Sequence, residues 1–134
     1  MINMSNRTKK FQKVNKKDLI ATVDIGKTSH YGYWRSCNGD DCKPFEFGNT
    51  RKGFERFWRI TRTAQIHNKA KKIVVGFEST GSYGEPLVHY LRTKPAELVQ
   101  INPMHTKRLK ELDDNSPRKT DQKDVRVIAN IIQF

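Results

Sequence analysis

Two short, uncharged and mostly β-branched runs limit what this chain can fold into: Leu19-Ile20-Ala21-Thr22-Val23 and Ile73-Val74-Val75-Gly76-Phe77. Runs of this length with no polar alternation read as strands covered on both faces, as in the middle of a parallel sheet. An acid follows each run directly, Asp24 after the first and Glu78 after the second. Asp at a strand end is a common turn former, but Glu is not. A glutamate on the end of an apolar strand therefore calls for a role other than turning the chain.

The remaining segments can be placed around these two. The first strand is expected over Leu19–Ile25, and Tyr31–Cys37 follows it after a short link. Asn38-Gly39 is a strong hairpin signal, with Lys43–Gly48 as the returning strand. Asn49 or Thr50 can cap a helix in which Phe54, Phe57, Trp58, Thr61 and Ala64-Gln65 keep helical spacing. After the second apolar run come a loop over residues 79–84, a helix over Glu85–Arg92 and a strand over Ala96–Ile101. Asn102-Pro103 starts a further helix, with Pro at its favoured first position. A polar loop, Asp113–Thr120, leads to a last helix beginning near Thr120. A three-stranded antiparallel meander followed by βαβ crossovers in the same five-stranded mixed sheet, flanked by helices, is the ribonuclease H-like α/β arrangement.

Charge narrows the partners. The 134 residues include 26 Lys+Arg against 14 Asp+Glu, a formal net charge of +12. The isoelectric point is near 9.9 and the mean hydropathy is -0.80. A field of that sign draws polyanions. Residues 1–17 carry Arg7, Lys9, Lys10, Lys13, Lys16 and Lys17 without one acid, and are expected to form a disordered basic arm ahead of a domain over 18–134. No apolar run is long enough for a membrane span, and no secretory leader pattern is present. A cytoplasmic, nucleoid-associated protein is expected. Cys37 and Cys42 flank the hairpin turn; a bridge there is geometrically allowed, but such thiols stay reduced in a cytosol.

In a basic chain, the placement of the few acids is informative. Asp121 and Asp124, at i and i+3, share one face of the last helix, where Val125, Ile128 and Ile132 supply the apolar contact to a sheet. Docking that face would bring the pair toward Asp24 and Glu78, since ligands of parallel sheets gather beyond the carboxyl ends of the strands. Four neighbouring carboxylates need a cation, and hard oxygen donors suit Mg²⁺ or Mn²⁺. Taken singly, Asp121 and Asp124 also suit a helix N-terminus, whose dipole favours negative charge. Arg118 and Lys119, and the cluster of Lys107 and Arg108, are candidate phosphate contacts. Thr80, Gly81 and Ser82 could approach a phosphate through backbone N–H groups, and His30 could line the site. Asp24-Ile25-Gly26-Lys27-Thr28 also fits the phosphate loop of actin-like ATPases, which leaves an ATPase fragment as one alternative. A non-catalytic DNA- or RNA-binding module on the same fold is another.

Four segments carry a family resemblance: Val23-Asp24-Ile25-Gly26-Lys27, Gly76-Phe77-Glu78-Ser79-Thr80-Gly81, Ile101-Asn102-Pro103 and Lys119-Thr120-Asp121-Gln122-Lys123-Asp124. Together they resemble the amino-terminal, RuvC-like domain of the DEDD transposases of the IS110 type, a family that includes the pilin-gene inverting recombinases. The resemblance implies that Asp24, Glu78, Asp121 and Asp124 are the catalytic, metal-binding tetrad. It also implies DNA as substrate, a bridge RNA as guide and a homo-oligomeric full-length protein. A second domain supplies a catalytic serine in that family, so this chain is expected to be a fragment without it. One departure is Val125, where the family usually has Ala.

Overall fold

The computed structural model describes residues 17–78, 81–102 and 121–133, with side chains in the last helix described for 125–132. Five strands form one sheet: β1 (Leu19–Asp24), β2 (Ser29–Arg35), β3 (Phe45–Gly48), β4 (Ile73–Glu78) and β5 (Ala96–Ile101). Their order is β3-β2-β1-β4-β5. The β1/β2 and β2/β3 pairs are antiparallel, and the β1/β4 and β4/β5 pairs are parallel. Three helices complete the described fold: α1 (Arg51–His67), α2 (Glu85–Leu91) and α3 (Asp121–Gln133). This is the ribonuclease H-like architecture, with the two apolar runs side by side as β1 and β4.

Strand boundaries differ from expectation by one or two residues; β1 ends at Asp24 rather than Ile25, and β2 ends at Arg35 rather than Cys37. β2 starts at Ser29 rather than Tyr31, because Ser29 and His30 pair with Gly48 and Phe47 of β3. β3 starts at Phe45 rather than Lys43; Pro44 has no N–H to give a ladder. The hairpin between β2 and β3 turns at Gly39, whose φ of +95° suits a residue without a side chain. Cys37 and Cys42 are free thiols, and burial pushes the Cys42 thiol upward in pKa.

Alternation along the strands divides the core into two layers. Leu19, Ala21 and Val23 of β1 and Ile73, Val75 and Phe77 of β4 meet α1 and α2 through Phe54, Phe57, Leu87 and Leu91. Thr50 caps α1, its hydroxyl accepting from the Gly53 N–H at 3.1 Å. On the opposite face Ile20, Tyr33, Val74, Val99 and Ile101 meet Val125, Ile128, Ala129 and Ile132 of α3. Gly76 makes that contact close: a Cβ there would lie 1.9 Å from Ile132 Cδ1. Val125 is fully buried in this layer, so the larger side chain is packed into the core.

Candidate metal and nucleic-acid site

The strand register brings two of the four acids together. Val23 pairs with Phe77, and the next residue on each strand is Asp24 and Glu78. The same alternation gives both a direction. Ile20 and Val74 face α3, as do Thr22 and Gly76, so Asp24 and Glu78 fall on the α3 face. Their other cross-strand partners agree, since Tyr31 opposite Asp24 and Ile101 opposite Glu78 belong to the α3 layer. Adjacent parallel strands run about 4.8 Å apart. Both acids are partly buried at this edge.

Helix α3 runs antiparallel to β1. Thr22 donates its hydroxyl to the carbonyl of Val125 at 2.8 Å inside the core. Arg126 stacks its guanidinium over Tyr33, the residue paired with Thr22. Further along, Asn130 accepts from Arg35, which pairs with Ile20. The helix therefore descends from the carboxyl end of β1, and its first turn, which holds Asp121 and Asp124, begins at the edge that carries Asp24 and Glu78. The side chains of Asp121 and Asp124 lie outside the described residues.

Asp24 and Glu78 fit a hard divalent cation by donor type, oxygen ligands from two neighbouring backbones. Among the described residues no group of three or more His, Cys, Asp or Glu gathers to hold an ion.

His30 does not line this edge. It is fully buried on the α1 face, with its ring 5.3 Å from Phe47 and 6.3 Å from Phe54. Its Nδ1 accepts from the Gly26 N–H at 3.1 Å, which leaves Nε2–H to donate to Asn49 Oδ1 at 3.0 Å. Burial lowers its pKa, in keeping with the neutral ring that these bonds require. The Asn49 amide then donates to two carbonyls, Lys27 at 3.2 Å and Tyr83 at 3.3 Å. Lys27 lies in the loop after Asp24, and Tyr83 in the turn after Glu78. One side chain thus braces the two segments that leave the acidic strand ends. Sequence reasoning offered Asn49 only as a cap for α1, and nothing local in the sequence marks this other role.

The turn after Glu78 resumes at Gly81, with φ +27°, and a 3₁₀ turn Ser82–Gly84 feeds α2. A cleft of about 460 Å³ opens beside Glu78, bordered by Gly81, Gly84, His89, Arg92 and Gln100. Thr80, Lys107, Arg108, Arg118 and Lys119 lie outside the described residues, as do the basic arm up to residue 16 and the helix expected from Pro103. Among the described residues, no helix is long and apolar enough to cross a membrane.

Comparison with known proteins places this fold in a family. Residues 21–134 match the model of the DEDD transposase family of the IS110 type, described as transposase. The chain belongs to this transposase family. The match takes in β1 from Ala21 onward and every later described strand and helix, including Asp24, Glu78, Asp121 and Asp124. It also assigns the Asp24–Thr28 loop to the transposase fold. In the transposase domain the Gly26 N–H of that loop is bonded inward to His30. No curated protein matches the sequence. Among solved structures, an exopolyphosphatase from Cytophaga hutchinsonii aligns at 10% identity and TM-score 0.41, over 66% of this chain and 36% of its own. A Ppx/GppA family member from Aquifex aeolicus aligns at 12% identity and TM-score 0.37, over 72% of this chain and 39% of its own. The transposase domain thus spans well under half the length of these two chains.

Proposed function

We propose that this domain is the metal-holding half of a DNA recombinase site, with Asp24, Glu78, Asp121 and Asp124 as ligands of Mg²⁺ or Mn²⁺. The observation that carries this reading is the position of Asp24 and Glu78 on adjacent strand ends, one residue beyond the Val23–Phe77 pair, on the face where α3 begins. Bound there, divalent ions would supply charge stabilisation for the attacking and leaving oxygens of a phosphodiester transfer. The chain's own contribution is positional. β1 and β4 present two carboxylates at strand spacing, Asn49 braces the loops beyond them, and the Thr22 bond sets where α3 starts.

In this proposal DNA is the substrate, and Lys107, Arg108, Arg118 and Lys119 contact its phosphates. The attacking hydroxyl is the serine of the family's second domain, the protein works as a homo-oligomer on the nucleoid, and a bridge RNA guides it to its target. The family match supports the recombinase role, and the net charge of +12 supports a polyanionic partner.

Metal titration tests the reading. Mn²⁺ binding followed by electron paramagnetic resonance should weaken at least tenfold in Asp24→Asn and in Asp124→Asn. Metal-stimulated DNA binding should fall with it. Variants that bind Mn²⁺ like the parent would refute the tetrad, and DNA binding that ignores metal altogether would favour a non-catalytic binding module.

A further inference from the structure

We propose that Tyr83 is a stacking platform for an unpaired nucleobase at the edge of this site, a reading that rests on the nucleic-acid function proposed above. Among the described residues, the exposed large hydrophobic side chains are Tyr83 and Ile66. Ile66 lies near the far end of α1, whereas Tyr83 lies in the turn that follows Glu78. An aromatic side chain that leaves 49% of its surface in water gives up burial that a polar turn residue would not need.

The backbone beneath the ring is held in place. The Tyr83 carbonyl accepts from Asn49 at 3.3 Å. The next residue, Gly84, is buried against Ile25, where an added Cβ would sit 2.5 Å from Cδ1. Ile25 follows Asp24 directly and packs in the α1/α2 layer, so the turn is held at the same strand end, on the other side of the sheet from α3. A ring on a fixed backbone loses little conformational freedom when a ligand covers it. The same Asn49 amide holds the Lys27 carbonyl, so the exposed Lys27 leaves the neighbouring loop. The cleft beside Glu78 is bordered by Gly81 and Gly84, on either side of Tyr83 in the chain.

An exposed aromatic ring with a cation on the neighbouring loop is an arrangement that suits single strands, the ring taking a base and the cation a phosphate. A base inside a duplex is already stacked on its neighbours, so only an unpaired or extruded base can use the ring. The ligand class is therefore a locally opened strand, in DNA or in RNA, whose backbone passes the acidic edge.

Fluorescence anisotropy on this chain, with a labelled single-stranded oligodeoxynucleotide, the RNA of the same sequence and a blunt DNA duplex, tests this. Tyr83→Ala should weaken single-strand binding about tenfold at fixed salt, in line with the cost of losing one stacked base. The slope of log affinity against log salt should stay as in the parent, because no phosphate contact is lost. Tyr83→Trp should keep parental affinity, and the duplex should be unaffected. Lys27→Ala should instead lower the salt slope by about one contact. A loss confined to DNA would assign the base to a DNA strand, and a loss confined to RNA would assign it to a guide. Single-strand affinity unchanged in Tyr83→Ala, or equally weak in Tyr83→Trp, would overturn the platform while leaving the nucleic-acid reading intact. A parent chain that binds none of the three probes would overturn both.

Discussion

On one face of the sheet, β1 and β4 meet two helices and a set of aromatic rings; on the other they meet, among the described elements, α3 alone. The first face is packed redundantly. Phe57 is fully buried, with Phe47 stacked at 4.9 Å and Phe45 at 6.2 Å. The second depends on single features: the absence of a side chain at Gly76, one hydrogen bond from Thr22 to Val125, and the Arg35–Asn130 contact. Yet the second face carries Asp24 and Glu78 at its edge. The contrast separates tasks. The aromatic face keeps the sheet folded, and the α3 face sets the geometry between strand ends and helix start.

Four perturbations test that separation. Phe57→Ala should have the largest effect, a loss of about 3–5 kcal/mol in urea unfolding, with Mn²⁺ affinity of the remaining folded fraction unchanged. Gly76→Val drives a side chain into Ile132 and should cost about 1–3 kcal/mol. Unlike Phe57→Ala, it should also weaken Mn²⁺ binding by the folded protein, because α3 must move. Parental Mn²⁺ affinity in Gly76→Val would erase the distinction between the faces. Thr22→Val keeps the shape but leaves the Val125 carbonyl without its hydroxyl partner, for about 1 kcal/mol in the same assay. The smallest effect is one of pH. Burial lowers the His30 pKa from 6.5, so the unfolded chain takes up the proton first. The His30 contribution to stability is full above about 6.5 and is lost as pH falls from there toward the lower folded value. Thermal melts should follow that trend, and His30→Gln should flatten it.

Much of this was legible in the residues. The two apolar runs read as buried strands because continuous apolar character requires cover on both faces, and the fold makes them parallel neighbours. Phe54, Phe57, Thr61 and Ala64-Gln65 predicted the buried stripe of α1 by spacing alone. What escaped depends on contacts across the fold. Ser29 and His30 looked like a polar link, but β3 supplies a ladder and the His30 ring fills a gap between Phe47 and Phe54. Asn49 looked like a cap; Thr50 takes that role, and the Asn49 amide joins three segments that only the folded chain brings together. Glu78 was singled out because glutamate is a poor turn former, an argument that needs no tertiary knowledge. That Asp24 and Glu78 share the α3 face follows only once the register is fixed.

The hydrogen bond between Thr22 and Val125 also bears on chain closure. It joins residues 103 positions apart in the chain. The β1/β4 pairing and the hairpin close shorter loops, at a smaller entropic cost. Loosening that bond in Thr22→Val therefore loosens a closure that spans most of the chain, from the first strand to the last helix.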